Sequence, residues 1–150
     1  MARILVADDS ADMRHLLSAL LIDQGHSVQV APDGSVALGM ILKQPPDLLI
    51  LDVIMPTLDG YSLLREMRER NLREEIKILI LSAKTSEGDI VKGYKLGADR
   101  YLTKPFAADE MLRTVQHMLD TPKADLKGKT EEELDKAQLL SRLESMFTDL

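Results

Sequence analysis

The sequence predicts an α/β domain, a doubly wound parallel sheet of five strands with helices on both faces. Three observations carry that expectation. Five short apolar runs of strand length alternate with five segments of helical periodicity as far as about residue 120. The runs DLLILD at 47–52 and KILILS at 77–82 are nearly continuous in apolar residues, as strands buried on both faces must be. Turn and cap residues punctuate the alternation closely enough to leave room only for crossover connections, which are right-handed.

The elements follow in order. RILVA at 3–7 is the first strand and stops at Asp8-Asp9. Residues 11–24 place Met13, Leu16, Leu17, Leu20 and Leu21 at helical spacing, and Gly25 follows as a C-cap. SVQVA at 27–31 alternates in polarity and reads as a strand near an edge of the sheet. Residues 34–43 carry Ala37, Met40 and Ile41 on one face until Pro45-Pro46 stops them. The third strand, 47–52, ends on Asp52, and a loop with Pro56 and Asp59-Gly60 leads to a helix at 61–70 striped by Leu63, Leu64 and Met67. The fourth strand, 77–82, ends on Ser82, and 87–96 is a helix weakened by Gly88 and Gly93 and closed by Gly97. RYLT at 100–103 is a short fifth strand before Lys104-Pro105, and 108–119 is the fifth helix, through Met111, Leu112, Val115 and Leu119.

Composition narrows the function classes. The 150 residues contain no Cys, which excludes disulfides, zinc-thiolate centres and thiol catalysis. Nineteen basic residues stand against 25 acidic ones, for a net charge of −6, so these residues are not expected to bind nucleic acid directly. No run approaches the roughly 18 apolar residues of a membrane span, and MARILVADD lacks the apolar stretch of a secretory signal. His15, His26 and His117 have no ligand spacing and are expected to face solvent, while the eight Met residues are mostly core filler.

In a sheet of this kind ligands bind beyond the carboxyl ends of the strands. Those ends deliver Asp8 and Asp9, Asp52, Ser82 and, just past the fifth strand, Lys104. Taken singly, each has an ordinary reading: an N-cap at 8–10, a turn aspartate at 52, surface polar groups elsewhere. Together they place three carboxylates, a hydroxyl and an ammonium on one rim. Carboxylates so close need a compensating cation, and an all-oxygen set suits a hard, hydrated ion such as Mg²⁺. Such an ion would also neutralise an incoming phosphoryl group, leaving one carboxylate to attack phosphorus. Lys104 would balance remaining charge and Ser82 would bond a phosphoryl oxygen.

Asp8-Asp9, DVIMPTLDG at 52–60, LSA at 81–83 and YLTKPF at 101–106 resemble, in order and spacing, the receiver domain of bacterial two-component response regulators over roughly residues 2–120. The resemblance implies a flavodoxin-like sheet of order 2-1-3-4-5. By position it makes Asp52 the phosphoacceptor and Asp8 and Asp9 the acidic pair of the metal site. The resemblance further implies that Asp52 and the backbone carbonyl of Ile54 complete the ligands to Mg²⁺, for which Mn²⁺ would substitute. It implies that Ser82 is the switch hydroxyl, with Ala83 beside it, that Tyr101 is the aromatic that rotates inward, and that Lys104 contacts the phosphoryl group. Lys104-Pro105 is implied to be a cis bond, and Ile54 and Lys84 to flank the path of hydrolytic water. The implied function is a cytoplasmic signalling switch, not an enzyme beyond its own phosphorylation and dephosphorylation. It would take a phosphoryl group from a sensor histidine kinase or phosphotransfer protein. It would then remodel the surface of its fourth helix, fifth strand and fifth helix to control a downstream effector or a fused output domain, with no membrane partner.

Two other readings share the fold class. An aspartate-nucleophile phosphatase usually has a second Asp two residues after the nucleophile, where this chain has Ile54. A flavodoxin-like electron carrier needs a phosphate loop after the first strand, where Asp8-Asp9 would repel phosphate. The expected domain division is a receiver at 1–120, a polar linker at 121–130 and a C-terminal helix at 131–150 opened by a capping box, Thr130 with Glu133. Leu140, Leu143, Phe147 and Leu150, flanked by Leu139 and Met146, stripe that helix. The stripe must be covered, either by the chain's own domain or, as the preferred expectation, by a twin helix in a homodimer that continues toward an output module. The face of the fourth helix, fifth strand and fifth helix is the other dimer surface expected.

Overall fold

The computed structural model describes residues 1–72 and 75–148, with the side chains at 127–134, 137, 138, 141 and 148 left aside. Along the chain run β1 (Arg3–Ala7), α1 (Ala11–Asp23), β2 (Ser27–Ala31), α2 (Gly34–Lys43), β3 (Leu48–Leu51), α3 (Gly60–Glu69), β4 (Lys77–Ser82), α4 (Glu87–Lys95), β5 (Arg100–Thr103), α5 (Ala108–Asp120) and α6 (Lys123–Thr148). The strands form one sheet in the order β2-β1-β3-β4-β5, and every pairing is parallel. The expected fold is therefore observed, and the alternating strand β2 does lie at an edge.

The pleat sorts the apolar strand residues into two cores. Ile4, Val6, Leu48, Ile50, Leu79 and Leu81 face Leu17 and Leu21 of α1 and Met111, Val115 and Met118 of α5. Leu5, Ala7, Leu49, Leu51, Ile78 and Ile80 face Ala37 and Ile41 of α2, Leu63, Leu64 and Met67 of α3, and Tyr94 of α4. Period-two alternation between two covered faces is what makes the runs read as uninterrupted hydrophobic stretches. Helix starts are fixed by Ser10, Asp33, Asp59 and Ser86, each accepting a hydrogen bond from the backbone N–H three residues on. Ser10 supplies the side-chain cap of α1, so the carboxylates of Asp8 and Asp9 are not spent on capping that helix.

Past α5 the structure departs from the expected organisation. The segment read as a linker at 121–130 is helical from Lys123, so Thr130 lies inside α6 rather than at its start. The cause is two anchors hidden in a polar stretch. Leu126 is fully buried in the α1/α5 core, and the Lys123 ammonium bonds the buried Asp99 carboxylate and the Ile76 carbonyl. The helix then lies against α4. At about 1.5 Å per residue its 26 residues extend about 39 Å, against about 14 Å for the nine of α4, so much of α6 outruns its partner. The stripe residues Leu139, Leu140, Leu143, Met146 and Phe147 are exposed. Leu150 lies outside the described residues. Two of the three histidines are exposed as expected; His26 is half-buried, its Nδ1 accepting the Ala2 backbone N–H at 3.3 Å.

Candidate functional site

Asp8 stands one residue past β1 and prolongs its ladder, its N–H donating to the Ala31 carbonyl at 3.1 Å. Its side chain is buried, with Oδ1 accepting the Ser10 N–H at 2.9 Å. The Asp52 N–H likewise donates to the Ala7 carbonyl at 2.9 Å, so the sheet's own hydrogen bonding sets Asp52 beside Asp8. Asp52 is buried, and its Oδ1 accepts the Ile54 N–H at 3.3 Å. Asp9 is exposed at the same rim. One carboxylate oxygen from each of Asp8, Asp9 and Asp52 lies within 4.8 Å of the others.

Lys104 closes the cluster from the far strand. Its backbone N–H donates to the Ser82 carbonyl at 2.8 Å, and the peptide that follows, Lys104–Pro105, is cis. The ammonium donates to Asp8 Oδ2 at 2.8 Å and to Asp52 Oδ2 at 3.0 Å. Burial works to lower its pKa, but the hydrogen bonds and charges of Asp8 and Asp52 outweigh burial and hold it above the ordinary lysine value. Three carboxylates against one ammonium leave two formal negative charges on a set of oxygens, a match for one hard divalent cation.

Ser82 is fully buried at the end of β4, its Oγ accepting the Lys84 N–H at 3.2 Å. Ala83 and Lys84 are exposed beyond it. Tyr101 is half-buried in β5, and its hydroxyl donates to the Lys84 carbonyl at 2.7 Å. Burial, first among the causes, holds this phenol above its ordinary pKa. Ile54 turns its side chain out beside Asp52, 54% exposed. Thus Asp8, Asp9, Asp52, Ile54, Ser82, Ala83, Lys84, Lys104 and Pro105 lie at the carboxyl ends of β1, β3 and β4 or in the loops after β1, β3, β4 and β5, while Tyr101 lies within β5.

Two further contacts at the site were not legible in the sequence. The Arg14 guanidinium reaches back from α1 to the Asp8 carbonyl at 2.8 Å, and Tyr61, at the start of α3, donates its hydroxyl to the Asp89 carbonyl of α4 at 3.0 Å. Both side chains aim at backbone atoms, which leave no pattern in a sequence. Only the place of Arg14, one turn after the Ser10 cap, could have hinted at the rim.

The response regulator receiver domain family profile matches residues 4–116. The response regulator MprA of Mycobacterium leprae is 42% identical over 123 residues, 82% of this chain and 53% of its own length. The receiver domain of Francisella response regulator 1452 superposes with a TM-score of 0.75 at 36% identity, over 80% of this chain and 98% of its own. NtrX from Brucella abortus aligns with 97% of this chain and 29% of its own length, at 27% identity and a TM-score of 0.72. The chain spans about half the length of the curated relatives it matches.

Proposed function

Because the chain belongs to the response regulator receiver domain family, we propose that Asp52 is its phosphoacceptor within a two-component signalling switch. The observation that carries this assignment is the position of Asp52: a carboxylate held at a β-strand end between the Lys104 ammonium and two further carboxylates. In the reaction an Asp52 oxygen forms a bond to phosphorus as the bond from phosphorus to the donor breaks. The donor is a phosphohistidine of a sensor kinase or phosphotransfer protein. Asp8, Asp9, Asp52 and the Ile54 carbonyl would hold Mg²⁺, or Mn²⁺ in its place, and the ion would supply charge neutralisation at the phosphoryl oxygens. Lys104 adds a fixed ammonium within reach of the same oxygens, and Arg14 holds the turn that carries Asp8 and Asp9. With Ile54 where a phosphatase would have its general acid, the activity is confined to the domain's own phosphoryl group.

The acyl phosphate draws the Ser82 hydroxyl toward it, and Lys84 and the backbone between move with it. The Tyr101 hydroxyl, bonded to the Lys84 carbonyl, is the first group to feel that displacement. The surface of α4, β5 and α5 is then remodelled for a downstream effector or an output domain fused to this one, a population shift between two packings. α6 lies against α4 and so shares in that change. Its exposed stripe is the surface for a weak homodimer, with the α4/β5/α5 face as the second candidate surface. The setting is cytoplasmic, among kinases and effectors, with no nucleic acid bound by these residues themselves.

Incubation with acetyl phosphate and Mg²⁺ tests the central assignment. One phosphoryl adduct is expected on the protein by mass spectrometry, and none on Asp52→Asn. The same adduct on the Asn variant would show another nucleophile.

A further inference from the structure

Tyr61 is the second residue of α3, directly after a glycine at which two stretches of backbone come close. A Cβ at Gly60 would fall 2.4 Å from the Asp52 carbonyl oxygen and 2.8 Å from Val53 Cα. The Gly60 N–H also donates to the Val53 carbonyl at 2.8 Å. The first turn of α3 is thus pressed on the backbone of Asp52 with no side chain between them. From this base the Tyr61 ring reaches α4. Its hydroxyl donates to the Asp89 carbonyl at 3.0 Å, and the Lys92 ammonium lies 4.6 Å from the ring centroid. Asp89 is also tied to the loop before it, because Ser86 caps α4 through the Asp89 N–H at 3.1 Å and donates its own hydroxyl to the Asp89 carboxylate at 2.6 Å.

One turn along, α4 rests on Tyr101: a Cβ at Gly93 would lie 3.1 Å from the Tyr101 ring and 2.9 Å from the Ile80 side chain. The Tyr61 and Tyr101 phenols are near enough to perturb each other's ionisation. Packing alone would be served by any large apolar side chain at 61, a buried position in the α2/α3/α4 core. What packing does not require is a hydroxyl aimed at a main-chain oxygen of another helix, under a lysine ammonium.

We propose that Tyr61 is a positioning residue of the switch: its hydroxyl ties the first turn of α4 to the backbone that carries Asp52 and restrains α4 in the unphosphorylated packing. This rests on the switch reading above. Displacement of Ser82–Ser86 toward Asp52 pulls on the α4 N-terminus, and the Tyr61–Asp89 bond is the direct link opposing that pull from α3. Losing the bond makes the switched packing more populated before any phosphorylation, by about fivefold for one ordinary hydrogen bond.

The test is Tyr61→Phe, which keeps the ring, in the full chain, with amide spectra recorded with and without Mg²⁺ and beryllofluoride. In the variant without beryllofluoride, resonances of residues 84–95 should move part of the way toward the positions that saturated wild type reaches. Labelling by acetyl phosphate should quicken in step. Lys92→Met, an exposed position, should move the same resonances in the same direction by less and guards against a folding defect in the first variant. Shifts confined to the neighbours of ring 61, with labelling unchanged, would reduce Tyr61 to a core aromatic. A wild type that ignores beryllofluoride would instead overturn the switch reading, and this proposal with it.

Discussion

The Lys104 ammonium stands 3.0 Å from the Asp52 carboxylate although 52 residues separate them in sequence. Because it also holds Asp8 at 2.8 Å, it balances charge on two of the carboxylates that a divalent cation would share with it. The two cations repel each other, and the carboxylates without either of them repel too. Lys104→Met should therefore destabilise the metal-free protein by about 1–3 kcal/mol, since two buried acceptors lose their partner. The same change should tighten Mg²⁺ binding severalfold, by removing a positive charge from the site's edge. Urea titration and isothermal calorimetry read the two effects. Weaker Mg²⁺ binding in the variant would mean that Lys104 serves mainly to order the carboxylates.

Alkaline pH acts on the same neighbourhood. Lys104 and the phenols of Tyr61 and Tyr101 are all held above their ordinary values of 10.5, 10.0 and 10.0. For a raised pKa the stabilisation is complete below the unfolded value and is lost as pH climbs toward the folded one. The unfolded chain releases these protons first, so stability should be flat with respect to these groups up to about pH 9 and fall above about pH 10. Chemical denaturation at stepped pH measures it, and Tyr61→Phe should make the decline shallower. An undiminished slope in that variant would remove Tyr61 from the account.

What the sequence disclosed depended on whether a residue's partner was set by secondary-structure period. Strand ends are so set: once β1, β3, β4 and β5 are parallel neighbours, Asp8, Asp52, Ser82 and Lys104 must share a rim, and their residue types name the chemistry. The start of α6 is not, because a single leucine, Leu126, and one ion pair, Lys123–Asp99, hold a segment whose composition is otherwise that of a linker. Asp99 itself, buried and accepting the Ile78 N–H at 2.8 Å, had no signal for the same reason: its partners are a backbone amide and a lysine 24 residues away.

The lifetime of the acyl phosphate should depend on the two side chains that border the site without joining its hydrogen bonds. Ile54 offers only its N–H to Asp52, and its side chain, open to solvent, cannot orient a water. Lys84 contributes its backbone to Ser82 and Tyr101, while its protonated ammonium cannot accept a proton from water. Slow self-hydrolysis is expected, and Ile54→Asn should shorten the phosphoryl half-life severalfold by giving the attacking water a hydrogen-bond partner. A half-life that stays the same or lengthens counts against a role for this position.

The α6 stripe leads to a prediction whose size can be bounded. Leu139, Leu140, Leu143, Met146 and Phe147, spaced to share one side of the helix, are 43% to 74% exposed. Five such side chains bury roughly 400 Å² per copy when paired with a twin, about 800 Å² in all, short of the roughly 1,200 Å² of a stable interface. The dimer should therefore be weak and concentration-dependent, and sensitive to any change in how α6 sits on α4. Light scattering should show the mass rising from 16.8 kDa toward twice that value at high micromolar concentration, with a different midpoint once beryllofluoride is added. Leu143→Glu and Phe147→Glu place charges on the exposed stripe and leave the Leu126 and Lys123 anchors intact, so both variants should stay monomeric without losing stability. Truncating α6 would be a poorer test, because it strips the buried Asp99 of its ion-pair partner and unfills the core at Leu126. Wild type that is monomeric at every concentration, with and without beryllofluoride, would end the dimer and leave α6 as a helix docked on its own domain.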